Sequence, residues 1–136
     1  MTYLAYARIA DQIRAANLPC FVGDPPDNIS VPYTFVWGPL PIGNALTLAG
    51  ADDVLDLECN VQVVAETPAT VLKVADQVKG VLQGAELVLD GYRVFPLKVT
   101  GSTSVQTARS VANEETNTYP AWLTLHLRLQ ATKENC

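Results

Sequence analysis

The sequence predicts an α+β fold: a single domain, residues 1–136, with a mostly antiparallel or mixed β-sheet flanked by two α-helices and a long polar loop near the C-terminal strand. Apolar residues recur every three to four positions in two segments and alternate with polar residues in others. Apolar residues make up 49% of the chain and charged residues 17%, which is typical of a folded protein with few surface charges. A chain of this length can bury one core.

The first helix is predicted over 2–16, where the apolar residues recur every four positions at Ala5, Ile9 and Ile13. Asn17 and Pro19 end this helix, because the residue before a proline avoids the α conformation. The second helix begins at Thr67-Pro68, where the threonine oxygen can accept from a free N–H and proline presets the first helical φ. Gly84 stops it near residue 83.

Strands are predicted where apolar and polar residues alternate or where β-branched and aromatic residues gather. The segment 20–22 is short and extended, 33–37 is rich in aromatic residues, and two loops, 23–28 and 38–53, follow these strands. The strand starting at Leu55 alternates through Val63 and places Cys59 in the core. The last strand, 121–130, has leucines on one face and Trp122, Thr124, His126 and Arg128 on the other.

A hairpin is predicted around Asp90-Gly91, a pair that tolerates the positive φ angles of a type I′ turn. Its arms are 86–89 and 92–100, and Pro96 places the second arm at an edge or a bulge. The segment 101–118 is rich in Ser, Thr, Asn and Glu, so it is predicted to be an extended, mobile loop. Long loops of this kind in a compact domain are usually functional or disordered.

The common catalytic and binding chemistries find no support in the sequence. The only histidine, His126, lies in the middle of a strand, which leaves a Ser–His–Asp arrangement without evident partners. Cys20, Cys59 and Cys136 are odd in number and widely spaced, which fits neither a disulfide framework nor a Cys-x-x-Cys zinc site. We therefore expect no catalytic residue, no cofactor and a reducing compartment.

Metal and membrane binding are also disfavoured. The acidic group Asp52, Asp53, Asp56 and Glu58 is the one candidate metal cluster, but it lacks an Asp-x-Asp-x-Asp-Gly loop, so a solvated acidic edge is the better interpretation. The longest uncharged window, 28–51, is interrupted by prolines and glycines, so we expect no membrane helix. A net charge of −5 disfavours a protein that grips nucleic-acid phosphates.

Four features together carry a resemblance to a known family. They are an N-terminal helix, Val22-Gly23-Asp24-Pro25-Pro26 leading into Val31-Pro32-Tyr33-Thr34-Phe35-Val36, a strand ending Val61-Gln62-Val63-Val64-Ala65-Glu66-Thr67, and a helix with Ala75-Asp76-Gln77-Val78-Lys79. This arrangement resembles the tail terminator family of long-tailed bacteriophages, the lambda-like tail completion proteins, over nearly the whole chain.

The resemblance implies a structural virion protein and not an enzyme. Its copies form a ring, usually of six, that ends tail-tube polymerisation and joins the tail to the neck. The implied partners are further copies of the chain, the major tail tube protein and a head–tail connector or stopper protein. The implied location is the tail–neck junction of the virion, after synthesis in the host cytoplasm. A stopper or neck protein is the alternative, and a small ligand-binding or enzymatic domain is a more distant one.

The polar segment 101–118 is the predicted contact region, and its interface candidates are Val105, Arg109, Val111, Glu114 and Glu115. We expect this segment to order on assembly at the inner rim of the ring or on the tube. A second hypothesis concerns DNA. An acidic subunit repeated around a ring repels the phosphates, so DNA passes through without specific binding.

Overall fold

The computed structural model describes residues 2–23, 32–38, 54–107 and 121–133, which form two helices and one seven-stranded sheet. The helices are α1 (Thr2–Arg14) and α2 (Pro68–Leu82). The strands, in chain order, are β1 (Cys20–Val22), β2 (Tyr33–Trp37), β3 (Val54–Ala65), β4 (Tyr92–Val94), β5 (Lys98–Ser102), β6 (Gln106–Thr107) and β7 (Ala121–Lys133). The predicted α+β class is confirmed, and the sheet is mixed.

Both helices end where local backbone chemistry requires it. α1 ends at Arg14, two residues earlier than predicted, and Asn17 adopts a left-handed φ of 63° just beyond it. Thr67 caps α2, because its side-chain oxygen accepts from the N–H of Thr70 at 3.2 Å. Gly84 follows α2 with a φ of 77°, a conformation that favours glycine. The predicted cap and stop of α2 are therefore confirmed.

Two long antiparallel strands form the centre of the sheet. β3 and β7 pair over their whole common length, from Val54 opposite Thr132 to Ala65 opposite Ala121. β2 lies antiparallel on the other side of β3, and β1 lies parallel to β2. On the other side of β7 lie β4, β5 and β6, one after another along its length. Both central strands are longer than the sequence predicted.

The predicted hairpin is wrong, although its turn is present. The N–H of Tyr92 donates to the carbonyl of Leu89 at 3.0 Å, but residues 85–89 form no strand. The second arm pairs with β7 and is split into β4 and β5, with Pro96 between them at the sheet edge as predicted. Residues 86–89 form no strand because both leucines of this arm are buried in the core. Residues 92–94 pair with β7 because its edge is available there.

The predicted polar loop is wrong over its first part. β5 extends to Ser102, and β6 pairs with β7 in place of the expected loop. Between them, Thr103 bonds Thr124 twice: its N–H donates to the carbonyl at 2.9 Å, and its hydroxyl accepts from the N–H at 3.0 Å. This segment is polar because it lies at an exposed edge, and its backbone is nevertheless satisfied by β7. Residues 108–120 lie outside the described residues.

The core lies between one face of the sheet and the two helices. Cys59 faces this core with 2% of its surface exposed, as predicted. Thr34 is buried there as well, and its hydroxyl donates to the carbonyl of Pro19 at 2.8 Å. Fully buried side chains from both helices and both central strands meet in this cluster: Ile9, Ile13, Leu57, Val61, Val63, Val71, Val78, Leu82, Leu127 and Leu129. The opposite face of the sheet, called the outer face below, points away from the helices.

Candidate assembly surfaces

The histidine and the two described cysteines lie on opposite faces of the sheet. His126 is exposed on the outer face, where its Nδ1 is 2.8 Å from Oδ1 of Asn60. Cys20 and Cys59 are buried, and burial raises the pKa of both thiols, that of Cys59 to about 12. Both thiols are therefore protonated at neutral pH. Over the described ranges, no three His, Cys, Asp or Glu side chains are close enough to hold a metal ion.

A polar strip crosses the middle of the outer face, and it contains half of the predicted acidic group. Asp56 accepts from Arg128 at both oxygens, at 2.9 Å and 2.7 Å, in a bidentate pair across β3 and β7. The hydrogen bonds from Arg128 lower the pKa of Asp56. Glu58 is exposed beside this pair, whereas Asp52 and Asp53 lie outside the described residues. The described carboxylates, Asp56 and Glu58, thus belong to a solvated polar strip, and Arg128 neutralises Asp56.

An aromatic strip occupies the β2 side of the outer face. Tyr33, Phe35 and Trp37 project from alternate positions of β2, with ring centroids 6.4 Å and 5.1 Å apart along the row. All three are half-buried, while Thr34 and Val36 between them face the core. The structure therefore places these three rings on the face of the sheet opposite the core. In the sequence, the alternation of the smaller Thr34 and Val36 with the three large rings is the pattern that indicates this placement.

The row of apolar side chains continues across the sheet at one end. Tyr33 is opposite Val64 on β3, and Val64 is opposite Trp122 on β7. Trp122 is half-buried, and Val64 is 9% exposed. The outer face is thus divided into an apolar part near β2 and a polar part along β3 and β7. A face of mixed character with partly exposed aromatic rings is typical of protein–protein interfaces.

The predicted interface candidates fall on both sides of the described boundary. Val105 lies between β5 and β6, where it is half-buried and packs against the core. Arg109, Val111, Glu114 and Glu115 lie outside the described residues, so they stay predictions. The described part of the segment thus contributes to the sheet edge.

No helix in the described ranges has both the length and the apolar character needed to cross a bilayer. No protein-family profile and no curated protein matches this chain. Among solved structures, the chain is similar to a chain of the structure described as "Virion of native gene transfer agent (GTA) particle". The alignment covers 92% of this chain and 93% of the other at 18% sequence identity, with a TM-score of 0.60. Because nearly the whole of each chain superposes, the two share a fold.

Proposed function

We propose that this chain is a virion structural protein that forms a ring, ends tail-tube polymerisation and joins the tail to the neck. The observation that carries the proposal is the fold shared, over 92% of the chain, with a component of a gene transfer agent virion. The resemblance of its sequence motifs to the tail terminators supports the narrower role. In this role the chain is not an enzyme. It binds copies of itself, the tail tube and a connector protein.

The surface of the described residues suits such a role. A ring subunit contacts one neighbour with one surface and the next neighbour with another, and it contacts further proteins above and below. The outer face offers half-buried aromatic rings beside a polar strip, and apolar side chains such as Tyr3 and Val88 are more than two-thirds exposed elsewhere. Of these groups, the contiguous row of rings on β2 is the kind of apolar patch that protein partners cover.

We also propose that Arg109, Val111, Glu114 and Glu115 contact the tail tube. Replacing these four residues by alanine is expected to abolish tube termination. The control is Val105→Ala, which removes a side chain that packs against the core and therefore lowers the melting temperature. Normal tail lengths from the fourfold variant would contradict this placement.

Deleting the gene in a strain that produces the particle tests the function as a whole. We expect overlong tail tubes and separate tailless heads in electron micrographs of the lysate, because nothing then stops the tube or joins it to the neck. Expression of the wild-type chain from a plasmid is expected to restore normal particles. Particles of normal length and normal yield in the deletion strain would refute the proposal.

The same micrographs separate the terminator from a stopper or neck protein. Loss of a terminator changes tail length, because the tube itself has lost its end. Loss of a stopper or neck protein leaves free tails of normal length beside unattached heads. The distribution of tube lengths is therefore the quantity to measure.

A further inference from the structure

The edges of the sheet are poorly suited to pairing with a strand from a neighbouring subunit. At one edge β1 has three residues, and the carbonyl of Cys20 already accepts from Nε of Arg14 at 2.9 Å. The other edge is broken into β4, β5 and β6, with a register shift between Val99 and Gly101. Short and irregular edge strands prevent strand addition. At the two sheet edges that the structure describes, we therefore expect contacts between subunits to be made by side chains.

One cleft on the surface is apolar and carries unpaired positive charge at its rim. Its volume is about 460 Å³, and it lies between the C-terminal end of α2, residues 95–98 and residues 130–132. Phe95 is 42% exposed in it, and Leu97 beside it is fully buried. Lys98 lines the cleft, and Arg93 lies next to it, as the cross-strand neighbour of the lining residue Thr132. Neither cation has a carboxylate within 4.0 Å among the described residues.

The backbone around this cleft is already hydrogen-bonded. The N–H of Gly84 donates to the carbonyl of Leu97 at 2.8 Å, and the N–H of Leu97 donates to the carbonyl of Ala85 at 2.9 Å. The N–H of Phe95 donates to the carbonyl of Gln130 at 2.9 Å. Because these backbone groups are already paired, the cleft does not need hydrogen bonds from the backbone of a partner. It favours an apolar side chain that has carboxylates beside it.

The segment 86–90 of the same chain has that chemistry. Leu87 and Leu89 are buried and anchor it, while Val88 between them is 71% exposed. Glu86 and Asp90, two residues to either side of Val88, are both exposed. Among the described residues, neither carboxylate has a lysine or arginine nitrogen within 4.0 Å, and Arg8, which borders the same surface as Glu86, pairs with Asp11 at 3.7 Å.

The segment and the cleft border different elements and share no residue. Val88 and Glu86 border the side chains of α1, whereas the cleft lies against β5 and the end of β7. α1 packs over β1 and β2, at the opposite end of the strand order from β5. One copy can therefore offer Val88 to one neighbour and the cleft to another. This is the heterologous arrangement that a closed ring requires.

We propose that Val88 of one copy inserts into the cleft at Phe95 of the next, with Glu86 and Asp90 facing Lys98 and Arg93. The inference rests on the proposed function, since it names the contact between subunits of the ring. Each contact buries one apolar side chain in an apolar site and pairs four charges that are otherwise unpaired. Removing Val88 is expected to weaken each contact roughly tenfold, and an aspartate at this position more.

The test uses the purified full-length chain and size-exclusion chromatography with light scattering. Val88→Asp removes the inserted group, and the double variant Arg93→Glu with Lys98→Glu reverses the rim of the cleft. Both are expected to remain folded by circular dichroism, because all three side chains are exposed. Both are expected to be monomeric at concentrations where the wild type forms rings. The matched control is Leu72→Asp, which changes an apolar residue of α2 that is 55% exposed and is expected to keep the ring.

Mixing the two defective proteins gives a sharper result. The Val88→Asp copy retains a functional cleft, and the rim variant retains Val88, so the mixture can form one productive contact. We expect a one-to-one heterodimer and no ring. Adding Glu86→Lys and Asp90→Lys to the rim variant reverses the charges on both sides of the contact. This fourfold variant alone is expected to form the ring again.

Failure of this inference is distinguishable from failure of the proposed function. The inference is overturned if the wild type forms rings and the Val88→Asp and rim variants form them too. It is also overturned if the wild type stays monomeric. In either case the gene deletion still decides the function by tail length. Normal tails in the deletion strain overturn the function whatever the variants do.

Discussion

Replacing Leu129 by alanine tests which face of β7 belongs to the core, and therefore which face is free for assembly. Leu129 is fully buried and lies opposite Leu57 in the core cluster. Removing a buried leucine side chain costs about 3 kcal/mol, because the transfer energy is lost and a cavity remains. With an unfolding entropy of about 2.1 cal/mol/K per residue, 136 residues convert this loss into a fall of about 10 °C in Tm.

Thr124→Ala is the matched control on the same strand, because Thr124 projects to the outer face and is half-buried. It is expected to cost about 1 kcal/mol or less, which is the range of β-propensity differences. Thermal and urea unfolding followed by circular dichroism measure both variants, provided each shows a single transition. Equal losses at the two positions, or a larger loss at Thr124, would refute the assignment of the core face.

Three further predictions concern stability and DNA. Thr67→Ala removes the N-cap of α2 and is expected to lower the unfolding free energy by about 1 kcal/mol, while Thr67→Ser keeps it; equal Tm values for the two variants would contradict the cap. Asp56→Asn is expected to lower stability slightly at pH 7. Because Arg128 lowers the folded-state pKa of Asp56 below 3.8, the wild-type advantage is complete well above pH 3.8 and disappears as the pH falls through the folded value. Urea unfolding at several pH values measures the difference in unfolding free energy between the wild type and Asp56→Asn. A difference that increases as the pH falls would contradict the prediction. The wild-type chain, with a net charge of −5, is expected not to retain double-stranded DNA at low salt in a gel-shift assay, and strong retention would contradict free passage of DNA.

Local signals accounted for the elements that were predicted well. Thr67-Pro68 and Gly84 set the ends of α2 through interactions within a few residues, so sequence reasoning could find them. The alternation in β3 and β7 likewise predicted that Cys59 faces the core and that the leucines of β7 share one face, which the structure shows to be the core face. The same local reasoning failed at 86–100, because a turn at Asp90-Gly91 does not determine which strand the following residues pair with.

The candidate site was less accessible to sequence reasoning than the fold. The predicted contact region was chosen for its polarity, yet its described part pairs with β7, and Val105 within it packs against the core. The exposed Val88 lies between two buried leucines in a segment that was predicted to be a strand. Val88 is exposed because residues 86–89 pair with no strand of the sheet. The local sequence pattern does not distinguish such a segment from the arm of a hairpin.

By itself, the sequence determined the α+β class, the two helices, the cap and stop of α2 and the alternating faces of the central strands. Each of these follows from side-chain chemistry and spacing within a few residues. Tertiary structure alone decided the partners: the pairing of Asp56 with Arg128 across 72 positions, the three strands that share one edge of β7, and the face of the sheet on which the two described helices pack. These contacts join distant segments, so their selection depends on how the whole core packs.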